Sequence, residues 1–125
     1  MRILIADDFK PIRNAVADIL SRQPEWEVCG EADNGPEALR LVTELNPDVV
    51  LLDISMPGMD GLQAARLIHE SVPSTKIIIL SHHDPAQLIT DARKAGAQEC
   101  VDKGRIAADL VASIRRLDIK EESAA

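Results

Sequence analysis

The chain has 125 residues, of which 28% are charged, and a formal net charge of −7 at pH 7. This length suits one domain with a single buried core, and the acidic balance argues against nucleic-acid binding by this domain alone, because phosphate backbones are bound by clustered Lys and Arg. The apolar runs are too short to cross a membrane, and residues 1–6 lead straight into Asp7 and Asp8, so we expect a soluble protein without a signal peptide.

Five short segments rich in branched aliphatic residues predict β-strands. They cover residues 3–6, 26–32, 49–52, 77–80 and, more weakly, 99–101. The stretches between them, and the one after the last, repeat apolar residues with the spacing of one helix face. Pro11, Pro36 and Pro85 stand where first helical turns would begin. Asp84 can cap the fourth helix and Gly96 can end it, so the chain predicts five units of strand and helix.

Strands and helices that alternate through short connections predict a doubly wound α/β domain, in which helices cover both faces of a parallel sheet. The first, third and fourth predicted strands are continuously apolar, as central strands are. Glu27 and Glu31 interrupt the second, and the fifth is short, so both are expected at the edges. The order 2-1-3-4-5 meets these conditions, and such sheets bind ligands beyond the carboxyl ends of strands where the order reverses. We assign residues 1–118 to this domain and residues 119–125 to a polar tail or the start of a linker.

The two cysteines, Cys29 and Cys100, lie in the predicted edge strands. At opposite edges of one sheet they cannot pair, and neither stands in a CxxC motif or at a metal-ligand spacing. Free thiols suit a reducing compartment, so we expect the protein in the cytoplasm.

Polar side chains follow four of the predicted strands. They are Asp7 and Asp8 after the first, Asp53 at the end of the third, Ser81 at the end of the fourth and Lys103 after the fifth. Carboxyl ends of parallel strands meet at one edge of a sheet, so these side chains should converge. Three carboxylates held together repel one another and call for a cation, for which oxygen ligands favour magnesium or calcium. Such a set suits Asp53 as a nucleophile towards a phosphoryl group, with the metal and Lys103 neutralising developing charge.

Each of these residues also has a purely structural interpretation. Asp8 could cap the helix that begins near Pro11, and Asp53 could initiate the turn that follows it. A single Ser81 at a strand end is commonly a turn residue, and a single Lys103 is usually solvated. The combination is specific, because structural needs alone do not place carboxylates, a hydroxyl and an ammonium after four strands on one side.

Longer motifs surround these residues. They are ILIADD at 3–8, PDVVLLDISMPGMDG at 47–61, AGA at 95–97, and Lys103. Together, from about residue 2 to residue 117, the sequence resembles the response-regulator receiver family of two-component signalling. The resemblance implies the flavodoxin-like receiver fold, with Asp53 as phosphoacceptor. It also implies that Asp7, Asp8, Asp53 and the Ser55 backbone carbonyl hold Mg²⁺ directly or through water, and that Ser81 and Lys103 contact the phosphoryl oxygens.

The resemblance further implies a signalling switch that takes its phosphoryl group from a sensor histidine kinase. Such a domain catalyses only its own phosphorylation and dephosphorylation, and it relays the signal to an output domain or partner. The DDFKP start at residues 7–11 and the junction of Lys103 with Gly104 are most similar to receivers that carry a C-terminal helix-turn-helix output domain. The resemblance therefore implies a DNA-binding output domain in a longer parent chain, and it is compatible with a homodimer.

Three positions depart from the family pattern. Cys100 stands three residues before Lys103, where many receivers have Tyr or Phe. His82 follows Ser81 where a small residue is usual. Gly104 replaces the proline that supplies a cis peptide bond in much of the family.

The pair His82 and His83 could be interpreted as transition-metal ligands. Adjacent residues at a strand end point to opposite sides, and no cysteine or carboxylate at ligand spacing completes a set. We therefore interpret both as loop residues flanking the site.

Two other classes of protein share features with this sequence. A phosphohydrolase of the haloacid dehalogenase type uses an aspartyl nucleophile and a metal, but its usual second aspartate, two positions later, is Ser55 here. A flavin-binding electron carrier on the same fold needs aromatic stacking surfaces, and the aromatic residues are Phe9 and Trp26. The receiver interpretation is favoured over both.

Overall fold

The protein, seen in a computed structural model that describes the backbone of residues 1–124 and the side chains of residues 1–117, is built on a five-stranded parallel sheet. The strands are β1 (Arg2–Ala6), β2 (Glu27–Ala32), β3 (Val49–Asp53), β4 (Lys76–Ser81) and β5 (Glu99–Asp102). Their order is β2-β1-β3-β4-β5, with every neighbouring pair parallel. The predicted order is confirmed, and each predicted strand is found at its expected place.

Five α-helices and one short 3₁₀ turn connect the strands. They are α1 (Lys10–Ser21), α2 (Gly35–Leu45), α3 (Gly61–Ser71), α4 (Pro85–Lys94), the 3₁₀ turn (Lys103–Arg105) and α5 (Ile106–Ala124). Asp84 caps α4 as predicted, and two caps not predicted, Asn34 and Asp60, accept hydrogen bonds at the starts of α2 and α3. The assignment of residues 119–125 to a tail or linker stays a prediction. Within the described part of the chain, no helix has both the length and the apolar character needed to cross a bilayer.

Helices pack on both faces of the sheet and form two apolar cores. On one face, α2, α3 and α4 pack on β3 and β4 through residues such as Val42, Ile68 and Ala92. On the other, α1 and α5 pack on the same strands through residues such as Leu20 and Leu110. Since successive strand residues point to opposite faces, β3 supplies Val50 and Leu52 to the first core and Val49 and Leu51 to the second. This is the doubly wound architecture that the alternating pattern predicts.

The two edge strands differ from the central ones. All five residues of β3 are buried, whereas β2 has Ala32 as its one buried residue. Cys29 on β2 and Cys100 on β5 are free thiols, and the three strands between them keep the two apart. A fully buried β3 gives Asp53, its last residue, a rigid support.

Candidate functional site

The predicted site residues come together at the carboxyl edge of the sheet. Asp7 directly follows β1, Asp53 ends β3, Ser81 ends β4, and Lys103 opens the 3₁₀ turn after β5. Asp7, Asp53 and Ser81 are at most 2% exposed, and the Lys103 side chain is 6% exposed. Asp8 lies at the rim and is exposed. A cavity of about 390 Å³ opens over Asp53 and is bordered by Asp8, Ser81 and Lys103.

Lys103 bridges two of the carboxylates. Its Nζ lies 2.7 Å from Asp7 Oδ2 and 2.9 Å from Asp53 Oδ1. Burial alone would lower the pKa of Lys103, but hydrogen bonds and charge from Asp7 and Asp53 outweigh it, so the pKa is raised. Burial raises the pKa of Asp53 despite opposing contributions from Lys103 and the Ser55 N–H, and the nearby charge of Asp7 adds to the rise. The ammonium is therefore a permanent cation here, shared between two acids.

Asp7 is held on every side. Its backbone N–H donates to the Ala32 carbonyl oxygen over 3.0 Å, and its Oδ1 accepts from the Phe9 N–H over 2.9 Å. Its own carbonyl oxygen accepts from Arg13 Nη1 over 2.7 Å. Oδ2 is buried and, apart from the ion pair with Lys103, accepts no hydrogen bond of good geometry. Arg13 therefore contacts the backbone of a site residue, which the sequence did not predict. An arginine in the first turn of a helix cannot be distinguished by sequence from one that is simply solvated.

The structure confirms the turn interpretations of Asp53 and Ser81, and these turns are compatible with the predicted functional roles. Asp53 Oδ1 accepts from the Ser55 N–H over 3.1 Å, which is a turn hydrogen bond. Ser81 Oγ accepts from the His83 N–H over 2.9 Å in the same way. Both described contacts of Asp53 fall on Oδ1, so Oδ2 is the oxygen left available, and the Ser81 hydroxyl keeps its proton for another acceptor.

Asp8 does not cap a helix. The residue at the N-cap position of α1 is Phe9, and no side chain caps that helix end. The structural alternative for Asp8 is therefore wrong, and its carboxylate is turned to the rim of the site instead.

Three carboxylates form an oxygen set that fits a small divalent cation. One oxygen from each of Asp7, Asp8 and Asp53 lies within 4.8 Å of the others. The buried Asp7 Oδ2 has the Lys103 ammonium as its one described partner and accepts no further hydrogen bond, so it keeps lone pairs available for a metal ion. Hard oxygen donors without sulfur or imidazole favour Mg²⁺. The residues present thus fit the predicted metal, with Ser55 also at the border of the cavity.

The two histidines lie in the loop after β4 and flank the site, as interpreted from the sequence. Both His82 and His83 border the cavity over Asp53, although adjacent strand residues should face opposite ways. The reason is that β4 ends at Ser81 and the chain bends there, so the alternation of a strand no longer applies. Neither joins a cluster of metal ligands in the side chains described, where Asp7, Asp8 and Asp53 form the group found.

Comparison with known proteins identifies the family. Residues 3–115 match the model of the response regulator receiver domain. The chain belongs to this family. Transcriptional regulatory protein LiaR of Bacillus subtilis is 38% identical over 92% of the chain and 54% of its own length, and DegU of Brevibacillus brevis is 36% identical over 92% and 49%. The chain thus spans about half the length of these curated relatives.

Solved receivers have the same fold. The receiver domain of the response regulator NarL from Mycobacterium tuberculosis has a TM-score of 0.86 at 34% identity, with 93% of this chain and 94% of that one covered. The response regulator domain of CheB from Thermotoga maritima has a TM-score of 0.85 at 31% identity, with 93% and 94% covered. The predicted family and fold are both confirmed.

Cys100 leaves this receiver without an aromatic residue on β5. It is half-buried, packs against the core beneath α4, and borders a second cavity of about 270 Å³ together with Ile89 and Arg93. Burial and the charge of Glu99 raise the pKa of the Cys100 thiol to about 11. The side chain is therefore a neutral thiol at physiological pH. At the position of the family's cis-proline, Gly104 follows Lys103, and no cis peptide bond occurs in residues 1–124.

Gly61 places α3 directly against the end of β3. A β-carbon at this position would overlap the Asp53 carbonyl oxygen and would lie 2.5 Å from Ile54 Cα. These are backbone atoms that cannot swing aside, so a side chain here would displace the segment that carries Asp53.

We expect Gly61→Ala to lower the free energy of unfolding by about 1–3 kcal/mol, the usual cost of forcing atoms into packed structure. Urea unfolding measures this change. Gly104→Ala is the matched control, because its β-carbon would meet only the Asp102 side chain, at 3.3 Å. Its effect should stay within about 0.5 kcal/mol. Equal stability of the Gly61→Ala variant and the original chain would contradict the close approach.

Proposed function

We propose that this receiver is a phosphorylation-dependent switch that accepts a phosphoryl group on Asp53 from a sensor histidine kinase, with Mg²⁺ bound at the acidic edge. The observation that carries the proposal is that Asp53 is held in a fixed orientation beside an open cavity. Its Oδ1 is fixed by Lys103 and the Ser55 N–H, while the residue borders an open cavity of about 390 Å³. A carboxylate held in this way is oriented before a donor arrives, which lowers the cost of reaching the reactive geometry.

In the proposed reaction Asp53 Oδ2 attacks phosphorus. A P–O bond forms as the P–N bond to the donor histidine breaks, and the electron pair leaves with the imidazole. Lys103, held by two ion pairs, offers a fixed positive charge beside the phosphoryl oxygens, and Ser81 offers its hydroxyl proton. Mg²⁺ held by Asp7, Asp8, Asp53 and the Ser55 carbonyl would neutralise negative charge on the transferred group. The product is an acyl phosphate.

In the reaction we propose, the chain is phosphorylated and dephosphorylated on its own Asp53 and does not turn over an external substrate. In the alternative, a phosphohydrolase of the haloacid dehalogenase type, an acid two residues after the nucleophile assists repeated turnover. Here that position is Ser55, an exposed residue whose N–H is bound to Asp53 Oδ1. No second carboxylic acid stands there to protonate a leaving group, so each chain should accept one phosphoryl group and later lose it to water.

The readout we propose runs through the loop after β4. The Ser81 hydroxyl, drawn towards a new phosphoryl oxygen, carries the bonded His83 backbone with it, and α4 begins two residues later at Pro85. In related receivers an aromatic residue fills the space vacated by such a movement. Cys100 has one heavy atom beyond its β-carbon and cannot do so, which leaves the loop and α4 as the moving parts.

We also propose a DNA-binding output domain in a longer parent chain. The relatives DegU and LiaR are named transcriptional regulatory proteins, and the chain spans about half of each. A structure of similar fold, at 33% identity and a TM-score of 0.87, is named a two-component response regulator of the LuxR family. We place the protein in the cytoplasm, where free thiols such as Cys29 persist, and a homodimer is compatible with this role.

Acetyl phosphate with Mg²⁺ should add one phosphoryl group to the chain, measured as intact mass. Asp53→Asn should abolish the addition, because the amide that replaces the carboxylate is not a nucleophile. Asp18→Asn is the matched control, since Asp18 lies in an exposed ion pair with Arg22 and does not border the cavity. Undiminished added mass in the Asp53→Asn variant would assign the acceptor elsewhere.

Millimolar Mg²⁺ should raise the melting temperature at near-neutral pH. The folded site gathers three carboxylates that the unfolded chain keeps apart, and a ligand at a hundred times its dissociation constant adds about 2.7 kcal/mol. Asp8→Asn should weaken this effect and should itself stabilise the metal-free protein by relieving repulsion. Scanning calorimetry with and without Mg²⁺ tests both statements, and identical melting curves would refute the metal site.

Beryllofluoride, which mimics the phosphoryl group on Asp53, should change amide hydrogen exchange from Ser81 to Ala95. The reason is that the His83 N–H donates to the Ser81 hydroxyl, so a movement of Ser81 also moves the segment that leads into α4 at Pro85. The Asp53→Asn variant, treated in the same way, is the control and should show no change. Unaltered exchange across residues 81–95 in the original chain would exclude the loop as the readout.

A further inference from the structure

Arg13 connects the acidic edge of the site to the neighbouring strand. Its Nη1 donates to the Asp7 carbonyl oxygen over 2.7 Å, and its Nε donates to Glu31 Oε1 over 3.1 Å. The Arg13 side chain is 15% exposed, while that of Glu31 on β2 is 43% exposed. Hydrogen bonds from an ionised donor are about twice as strong as neutral ones. Arg13 thus fixes the end of β1 from within α1.

The carbonyl that Arg13 holds belongs to the peptide plane leading into Asp8. Because a peptide unit is planar, holding its oxygen sets the direction in which the next residue leaves. The preceding plane is fixed separately, since the Asp7 N–H donates to Ala32. Two independent contacts therefore define the backbone on both sides of the Asp7 Cα.

Asp8 depends on this backbone for its position. Its side chain is exposed, and among the hydrogen bonds and ion pairs described for residues 1–117 none involves its carboxylate. It nevertheless brings an oxygen within 4.8 Å of those of Asp7 and Asp53. With no side-chain partner to guide it, the carboxylate is placed by the direction of the chain.

We propose that Arg13 is a positioning residue for divalent-cation binding, which holds Asp8 where it completes the oxygen set. Arg13 acts through the Asp7 carbonyl, and Glu31 orients the guanidinium. Arg13 does not border the cavity over Asp53, so it touches neither the acceptor nor a donor. The inference rests on the proposed function, since the cation is the Mg²⁺ of that reaction.

The sign of the effect separates positioning from simple electrostatics. A guanidinium near the site repels Mg²⁺, so charge alone predicts that its removal strengthens Mg²⁺ binding. Positioning predicts the reverse, because a displaced Asp8 no longer contributes its oxygen. Loss of a residue that orients metal ligands typically weakens affinity by about 10-fold to 100-fold.

The test is calorimetric titration of Mg²⁺ into the whole chain carrying Arg13→Met, which keeps an apolar stem of similar length. We expect its dissociation constant to rise by about 10-fold or more. Arg13→Lys keeps the charge but has a single donor nitrogen in place of the two that contact Asp7 and Glu31, so it should recover part of the loss. The control is Arg22→Met, which removes the same charge at the C-cap of α1 and breaks only an exposed ion pair with Asp18. Its affinity should not change.

Phosphorylation by acetyl phosphate gives a second readout. In Arg13→Met the Mg²⁺ concentration at half-maximal rate should rise, while the rate at saturating Mg²⁺ should match that of the original chain. Unchanged or tighter Mg²⁺ binding overturns the proposal, as does an equal loss in Arg22→Met. A variant unfolded without Mg²⁺ also overturns it, since Arg13 would then serve the fold. Failure of the original chain to gain a phosphoryl group counts against the proposed function alone, because the Mg²⁺ titrations do not depend on it.

Discussion

The crowding of negative charge at the carboxyl edge of the sheet is the constraint on which the rest of this structure depends. Three carboxylates lie with oxygens within 4.8 Å of one another, and Lys103 supplies one positive charge between two of them. Burial strengthens the interactions among Asp7, Asp53 and Lys103, since charges in a poorly solvated site are weakly screened. The balance remains negative, which favours a divalent cation, and in the proposed reaction that cation would also offset the charge of the phosphoryl oxygens.

The scaffold tolerates this repulsion because the residues behind it are rigid and apolar. β3 is buried along its whole length, and Gly61 lets α3 press against its last residue. Asp7 is fixed through its backbone and both side-chain oxygens, so it cannot relax away from Lys103. The buried residues are fixed by their own side-chain contacts, whereas the exposed Asp8 depends on the backbone that leads into it.

Much of this arrangement could be predicted from the sequence, because parallel topology itself brings strand ends together. Once Asp7, Asp53 and Ser81 follow apolar strands, their convergence needs no side-chain detail. What could not be predicted depends on local geometry. Because the chain bends after Ser81, both histidines border the cavity. The hydrogen bond from Arg13 to the Asp7 carbonyl oxygen could not be predicted, since it does not depend on which residue type supplies the carbonyl. The caps at Asn34 and Asp60 likewise became evident only once the helix starts were known.

Turn formation and the proposed phosphoryl binding would use different parts of the same side chains, so the structural and the proposed functional roles of Asp53 and Ser81 do not exclude each other. Asp53 Oδ1 contacts the Ser55 N–H and Lys103, whereas no contact is described for Oδ2. Ser81 accepts the His83 N–H with a lone pair and keeps its proton. Because neither turn needs to break when a phosphoryl oxygen arrives, the segment after Ser81 can be drawn inward as one unit with its backbone hydrogen bond intact. The proposed switch would therefore move a loop of fixed shape, and the small Cys100 on the neighbouring strand borders a cavity beside the start of α4.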